Sequence, residues 1–565
     1  MSGTGQGAGW MSTLARWPFA VLVVLCLALW LPGVLRLPPL DRDESLFAQS
    51  SKQMLETGNF VDIRFGPAPR YKKPIGIYWL QAAATEALGA GKRGEIWTYR
   101  VPSLLGGLLA AWLLTWLARA IAPPEVALVG GALLAATVLL TAESTIATTD
   151  AVLLSTIIAA QGVMLRAYMA ARGGPKLGLG IAMAAWLAAG LGILMKGPVV
   201  LAVCAVTAAA LSLWDRDWKW LKNLRPWRGV AVMLAIALPW LIAIALRSHG
   251  AFYAQSLGHD FGGKLVSGEE AHGAWPGYFL ALVSFSFWPA TLFLIPAIGA
   301  AWAHRSEPAA RFLLTWAVAT WAMVELVPTK LPHYILPAYP GLALLAAFWA
   351  IRSEPPVTRG QRAMIYAAAV QFAIGLVALA VAPIFAMNKF MNGAEPWLIA
   401  WIAVGALIGV ASLVSLLRQK NTMALAFSVL AALALYPALT AATAPQLSTI
   451  WVSSRAAAAV EKDKRAGDPP PVLAGYTEPS MVFLLGTQTR LTGGATAAEV
   501  EAGEGGLALI EDSEGKSFLA RLATLGGQVV KVDEISGLNY SRGRRVHITF
   551  YRVAPVAQLT APPLE

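Results

Sequence analysis

In a chain that is mostly apolar, the side chains able to move a proton or hold a phosphate are few. Asp43, Glu44, Lys72, Lys73, Glu143, Asp150, Lys196, His249, His259, Lys264, His272, Lys330 and His333 are the ones that need a reason. A carboxylate can take the proton of an attacking hydroxyl. An ammonium can hold a phosphate and stabilise the negative charge that grows on it as it leaves. A mixed set of acids, amines and imidazoles is what a phosphorylated, hydroxyl-bearing substrate requires.

Each group also has a structural reading. Asp43 opens DESLFAQSSKQMLETG, which reads as a short amphipathic helix ended by Gly58, so Asp43 also suits the helix cap. Asp150 follows two threonines and precedes AVLLSTIIAA, where it fits the cap of a span. Lys72 and Lys73 in RYKKPIGIYWL fit either phosphate binding or snorkelling from an interfacial helix begun by Pro74. Lys196 in ILMKGPVV occupies a Gly-Pro break between two apolar runs, where a surface lysine has little reason to be, and a functional role is favoured. His249, His259, Lys264 and His272 share one glycine-rich loop, but no histidine pair there has the i, i+4 spacing of a helical metal site. Glu269 and Glu270 read as solvated loop charges.

The elements that must position these groups are membrane spans. Hydrophobic residues make up 57% of the 565 positions and charged residues 13%, with mean hydropathy +0.58, a balance that few water-soluble domains tolerate. Apolar runs of about 20 residues, enough to cross roughly 30 Å of hydrocarbon, recur from Trp17 to about Thr440. About 13 spans are expected. The first, Trp17 to Leu37, lacks a small-x-small cleavage site and reads as uncleaved. Cys26 and Cys204 fall inside spans and suggest neither a disulfide framework nor a metal cluster.

Basic short loops set the expected orientation. With the N-terminus cytoplasmic, Arg119, the Arg166 to Lys176 loop, the Arg216 to Arg228 loop and the loops holding Arg311, Arg359 and Arg418 all lie inside. The net charge of +12 follows from this topology and from anionic headgroups, not from nucleic-acid binding. The chemically able residues then gather on the opposite, extracytoplasmic side. So do a long loop, residues 38–100, and a tail, residues 445–565, which reads as a small soluble α/β domain beyond a transmembrane domain of residues 1–444. In the tail PPVLAGY, GLALIED, QVVKVDEI and RRVHITFYRV read as strands, with helices in TEPSMVFLL and GKSFLARLATL.

RDESLFAQSSKQMLETGNFV followed by RYKKPIGIYWLQ resembles the opening loop of the GT-C membrane glycosyltransferases, in the bacterial branch of lipid A aminoarabinose transferases and protein O-mannosyltransferase relatives. TTDAVLL, LMKGPV and PTKLPHYILPAYP resemble later landmarks of that branch, in the same order. The resemblance implies a polyprenyl-phosphate-linked sugar donor, and inverting transfer to a lipid, glycan or protein acceptor on the periplasmic face of a bacterial inner membrane. By motif position it implies Asp43 and Asp150 as catalytic acids. It implies Glu44, Lys72, Lys73, Lys196, Lys330, His333 and Tyr334 as substrate-binding residues, with Lys73 on phosphate. One position departs: the aminoarabinose transferases carry Glu-Lys-Pro, with that glutamate implicated in a metal site, where this chain has Lys72. No cofactor is therefore assigned, and a divalent metal and the aminoarabinose substrate are left open. The main competing reading is a polytopic transporter or lipid flippase, but transporters place ions near the midplane in repeated halves, and no repeat is evident here.

Overall fold

A computed structural model describes residues 9–256, 258, 275–391, 393 and 395–556. His259, Lys264, Glu269, Glu270 and His272 lie outside them. Among the described residues ten helices are long and apolar enough to cross a membrane, or eleven if one bent pair counts as a single span. The exact count of 13 is not confirmed, for local reasons. Pro124–Ala135 and Val138–Thr145 meet at 63°, because the hydroxyl of Thr137 accepts the backbone N–H of Leu140 at 3.3 Å and starts a second helix. Val199–Asp215 and Thr291–Ala303 are apolar but short, at 17 and 13 residues, each starting just after a proline, Pro198 and Pro289.

The first span, Pro18–Arg36, buries Trp30 against Ile96–Ala118, where Gly107 leaves room for its ring. Both ends of the bundle are held by polar contacts of different kinds. At one end the Asp215 carboxylate accepts Arg172, Arg311 and the hydroxyl of Tyr168. At the other lie the first long loop, the N-terminus of Ile96–Ala118, Thr145 to Asp150, and Lys196 to Pro198.

That loop carries the helix Asp43–Thr57, a two-stranded ribbon of β1 (Arg64–Phe65) and β2 (Ala68–Pro69), and the helix Gly76–Ala87. The first helix ends at Gly58 with φ 69°, the left-handed stop expected from its sequence. The second begins two residues later than Pro74. Its start packs so closely on the neighbouring span that a Cβ on Gly76 would lie 2.7 Å from the Leu194 carbonyl oxygen. That approach sets the start of this loop helix against the end of Leu179–Lys196.

The C-terminal unit is a five-stranded sheet of order β4-β3-β5-β7-β6. Its strands are β3 (Val472–Ala474), β4 (Arg490–Thr492), β5 (Gly506–Glu511), β6 (Val529–Asn539) and β7 (Arg544–Val553). β3 runs parallel to β4 and β5, while β5, β7 and β6 are antiparallel. Every residue of β5 is buried, since Val452–Asp463 and Pro479–Leu485 pack on one face and Gly494–Glu504 and Asp512–Thr524 on the other. Three-residue β4 and the Ala- and Gly-rich helix Gly494–Glu504 went unread in the sequence because neither carries a usable apolar period.

Glu501 is 1% exposed, and its Oε2 has no hydrogen-bond partner. Burial, with Glu504 and Asp468 adding to it and Arg490 and Arg552 opposing, pushes its carboxyl up to about 8. A raised carboxyl pKa gives stability that is complete below the unfolded value and is lost as pH rises toward 8. Urea unfolding of this unit in the detergent-solubilised chain, read by proteolysis, is therefore expected to weaken between pH 5 and 7.5. The slope should be up to about 1.4 kcal/mol per pH unit and should vanish in Glu501→Gln. Parallel pH curves for the two proteins would contradict the assignment.

Candidate active site

The loop end of the bundle is organised by one buried ion pair. Arg100 and Glu44 have side chains 0% and 1% exposed. Arg100 Nε and Nη2 donate to Glu44 Oε1 at 2.7 Å and Oε2 at 2.8 Å. Its remaining donors reach the carbonyls of Val34, Leu37 and Pro38 at 3.0, 2.7 and 3.0 Å. The carboxylate of Glu44 also accepts the backbone N–H groups of Leu40 at 2.9 Å and Ala147 at 2.8 Å. Thus the end of the first span, the start of Asp43–Thr57 and the strand-like approach to Asp150 are fixed to one guanidinium. Glu44 was expected to bind substrate. Its lone pairs are instead taken up by the fold.

Beside this pair the expected residues converge. Lys196 Nζ lies 2.7 Å from Asp150 Oδ1, and Asp150 Oδ2 accepts the hydroxyl of Thr149 at 3.1 Å. Glu143 Oε2 accepts Thr148 Oγ1 at 2.7 Å, and its other oxygen is 3.9 Å from His333 Nδ1. Tyr334 stacks edge-on to His333 with centroids 5.0 Å apart, and Lys196 Nζ lies 5.7 Å from the Tyr334 ring. Asp43 and Lys73 are near enough for their charges to act on His333, and Asp43 also acts on Glu143. Directly after Lys196, Gly197, at φ 64°, turns the chain between two helices.

Neither aspartate caps its helix. Arg42 and Thr149 hold the cap positions, with no capping hydrogen bond from a side chain, and Asp43 and Asp150 are the first helical residues. Asp43 is exposed, so its carboxylate can meet a ligand from solvent. Lys72 is exposed and Lys73 half-buried.

Lys330 does not join them. Its buried ammonium donates to the carbonyls of Val324 and Glu325 at the end of Pro308–Leu326 and lies 3.8 Å from the Glu325 carboxylate. There it neutralises a helix C-terminus. Among the described residues no three His, Cys, Asp or Glu side chains gather as metal ligands. The position where a metal-linked glutamate would stand carries the cation Lys72. Sequence reasoning placed Glu143 on this face without pairing it to His333, and did not single out Arg100 or Thr148. Arg100, a lone arginine at the mouth of an apolar run, was the one available signal.

The chain is similar to several known proteins. Residues 72–242 match the family described as dolichyl-phosphate-mannose-protein mannosyltransferase. An undecaprenyl phosphate-alpha-4-amino-4-deoxy-L-arabinose arabinosyl transferase from Erwinia tasmaniensis is 29% identical over 400 residues, 67% of this chain and 68% of that protein. The enzyme of the same name from Pseudomonas aeruginosa is 29% identical over 326 residues, 56% of this chain and 55% of its own length. The crystal structure of ArnT from Cupriavidus metallidurans bound to undecaprenyl phosphate superposes with a TM-score of 0.73 at 22% identity, covering 98% of this chain and 100% of that one. The fold is that of the GT-C membrane glycosyltransferases. Over these lengths the chain is similar to glycosyltransferases.

If Glu44 and Arg100 serve the fold, Glu44→Ala and Arg100→Met should each lower the melting point in detergent, losing about 3–5 kcal/mol, because each strands a buried charge. Binding of a polyprenyl phosphate by the folded fraction should be unchanged. An unchanged melting point with lost lipid binding would return Glu44 to the substrate.

Proposed function

We propose that the chain moves a sugar from a polyprenyl-phosphate donor to a lipid, glycan or protein acceptor, with inversion at the anomeric carbon. One observation carries the reading. Two carboxylates, two lysines and a histidine cluster at the loop end, while the first catalytic candidate, Asp43, is exposed to solvent beside them.

In this reading the acceptor hydroxyl gives its proton to the Asp43 carboxylate as its oxygen bonds to the anomeric carbon. The bond from that carbon to the lipid phosphate breaks at the same time, and its electron pair leaves on the phosphate oxygen. Lys196 and Lys73 meet that charge, and Lys196 is held ready by Asp150. Asp150, already paired, is a positioning acid and a poorer base than Asp43. His333 and Tyr334 wall the cleft on the side of the sugar.

The relatives named for an undecaprenyl-phosphate-linked aminopentose support a lipid-phosphate donor. The basic residues at the opposite end of the spans support a periplasmic site in an inner membrane. The soluble unit, residues 445–565, lies on the same side in this reading.

Two variants test it in proteoliposomes holding a polyprenyl-phosphate sugar and a hydroxyl acceptor. Asp43→Asn should lower turnover roughly 10²- to 10⁴-fold with donor binding retained. Lys196→Gln, which keeps a hydrogen bond to Asp150, should weaken donor binding by about 1.5–3 kcal/mol. Parental turnover in the first variant, or parental donor affinity in the second, sinks the role given to that residue.

A further inference from the structure

The C-terminal unit touches the long loop along one line, and that line runs to the proposed base. Asp41 sits two residues before Asp43. Its Oδ1 accepts the hydroxyl of Ser480 and, at 3.4 Å, that of Ser453. Its backbone N–H donates to the phenol oxygen of Tyr540 at 2.7 Å. These partners are themselves fixed: Ser480 Oγ lies 2.6 Å from Ser453 Oγ, which lies 2.9 Å from the Tyr476 hydroxyl, and Tyr540 stands edge-on to Trp451.

Farther along the same helix the contact continues. Gln49 and Glu56 both bond Thr487, at 2.6 Å each, and Lys52 donates to the Phe483 carbonyl at 3.1 Å while lying 5.4 Å from its ring. The helix Asp43–Thr57 is therefore gripped at its start and middle by a unit more than 390 residues away in the chain.

Between Asp41 and Asp43 stands Arg42, exposed, with φ 62°. An arginine holds a positive φ only where the surrounding structure imposes it. Glu44, fixed by Arg100, imposes it from one side. Asp41, fixed by the serines and Tyr540, imposes it from the other.

We infer that Asp41 is a positioning residue through which the C-terminal unit aims the Asp43 carboxylate into the cleft. This rests on the reading of Asp43 as the base. It assigns the soluble unit a part in transfer, because its Ser453, Ser480 and Tyr540 form the cradle. A neutral acceptor suffices for the role. Asp41 faces the carboxylate of Glu478 and the hydroxyls of Ser453, Ser480, Tyr476 and Tyr540, with Arg42 the nearby cation. Burial and Glu478 raise its carboxyl to about 6, so ionisation of Asp41 weakens the joint, not tightens it, as pH rises from the unfolded value toward 6.

Turnover and donor KM of the full chain in proteoliposomes, with melting point and amide exchange of residues 40–46, provide the test. Asp41→Ala and Tyr540→Phe should each lower kcat roughly 10- to 100-fold at parental donor KM, with faster exchange confined to residues 40–46. Asp41→Asn, which keeps the acceptor oxygen, should restore kcat to within about threefold of the parent. Parental kcat in Asp41→Ala beside an inactive Asp43→Asn would overturn the positioning role and leave the base intact. Equal losses in Asp41→Ala and Asp41→Asn would overturn it as well. Parental turnover in Asp43→Asn would instead remove the base, an outcome read from a different variant.

Discussion

The Arg100–Glu44 pair is the constraint on which the site depends. A guanidinium has five N–H donors, and all five are used here: two on Glu44 and three on the carbonyls that end the first span. Those carbonyls belong to the turn where a helix runs out of intrahelical partners, so Arg100 satisfies groups that would otherwise sit buried and unpaired. A buried ion pair seldom adds net stability over an apolar replacement, because desolvation offsets attraction. What it adds here is register. Three segments distant in sequence meet at this pair with no freedom to slide: the exit of the first span with Asp43 just beyond it, the start of Ile96–Ala118, and Ala147 on the approach to Asp150.

From that fixed point the chemistry follows by short steps. Ala147, held by Glu44, is three residues from Asp150, and Asp150 holds Lys196. Gly76 lets a loop helix settle on Leu194. The ionic cluster is thus assembled on ends of helices whose bodies are apolar. Charges at those ends avoid the cost of about 2.5–3.5 kcal/mol that insertion scales assign to a charge at the bilayer centre. They also remain within reach of a ligand whose tail lies in the membrane.

Much of this was legible in the sequence. The apolar runs, the Gly58 stop, the Lys196-Gly197-Pro198 break and four of the five C-terminal strands carry local signals that short-range physics reads directly. The division between residues that serve a ligand and residues that serve the fold was less legible. Glu44 and Asp43 are adjacent acids of similar chemistry, yet one is 1% exposed under Arg100 and the other faces solvent, a difference set by contacts 56 residues apart in the chain. Lys330 and Lys196 both follow apolar spans, and only the geometry of the preceding helix end turns Lys330 inward. The exact span count is not confirmed where a proline or a capping threonine breaks an apolar run that composition alone treats as continuous. The joint between Asp41 and the C-terminal unit had no local signal at all.

The central claim is that the cleft between Asp43, Lys73, Asp150, Lys196 and His333 receives the lipid phosphate. A polyprenyl phosphate bearing a photoreactive group next to the phosphate, irradiated with the full chain in proteoliposomes and mapped by mass spectrometry, measures this directly. The account predicts labelling of residues 71–75, 143–150, 194–198 and 331–335, suppressed by excess unlabelled polyprenyl phosphate. Competed labelling confined to other segments, such as the far ends of the spans beside Asp215 or the C-terminal sheet, would contradict it.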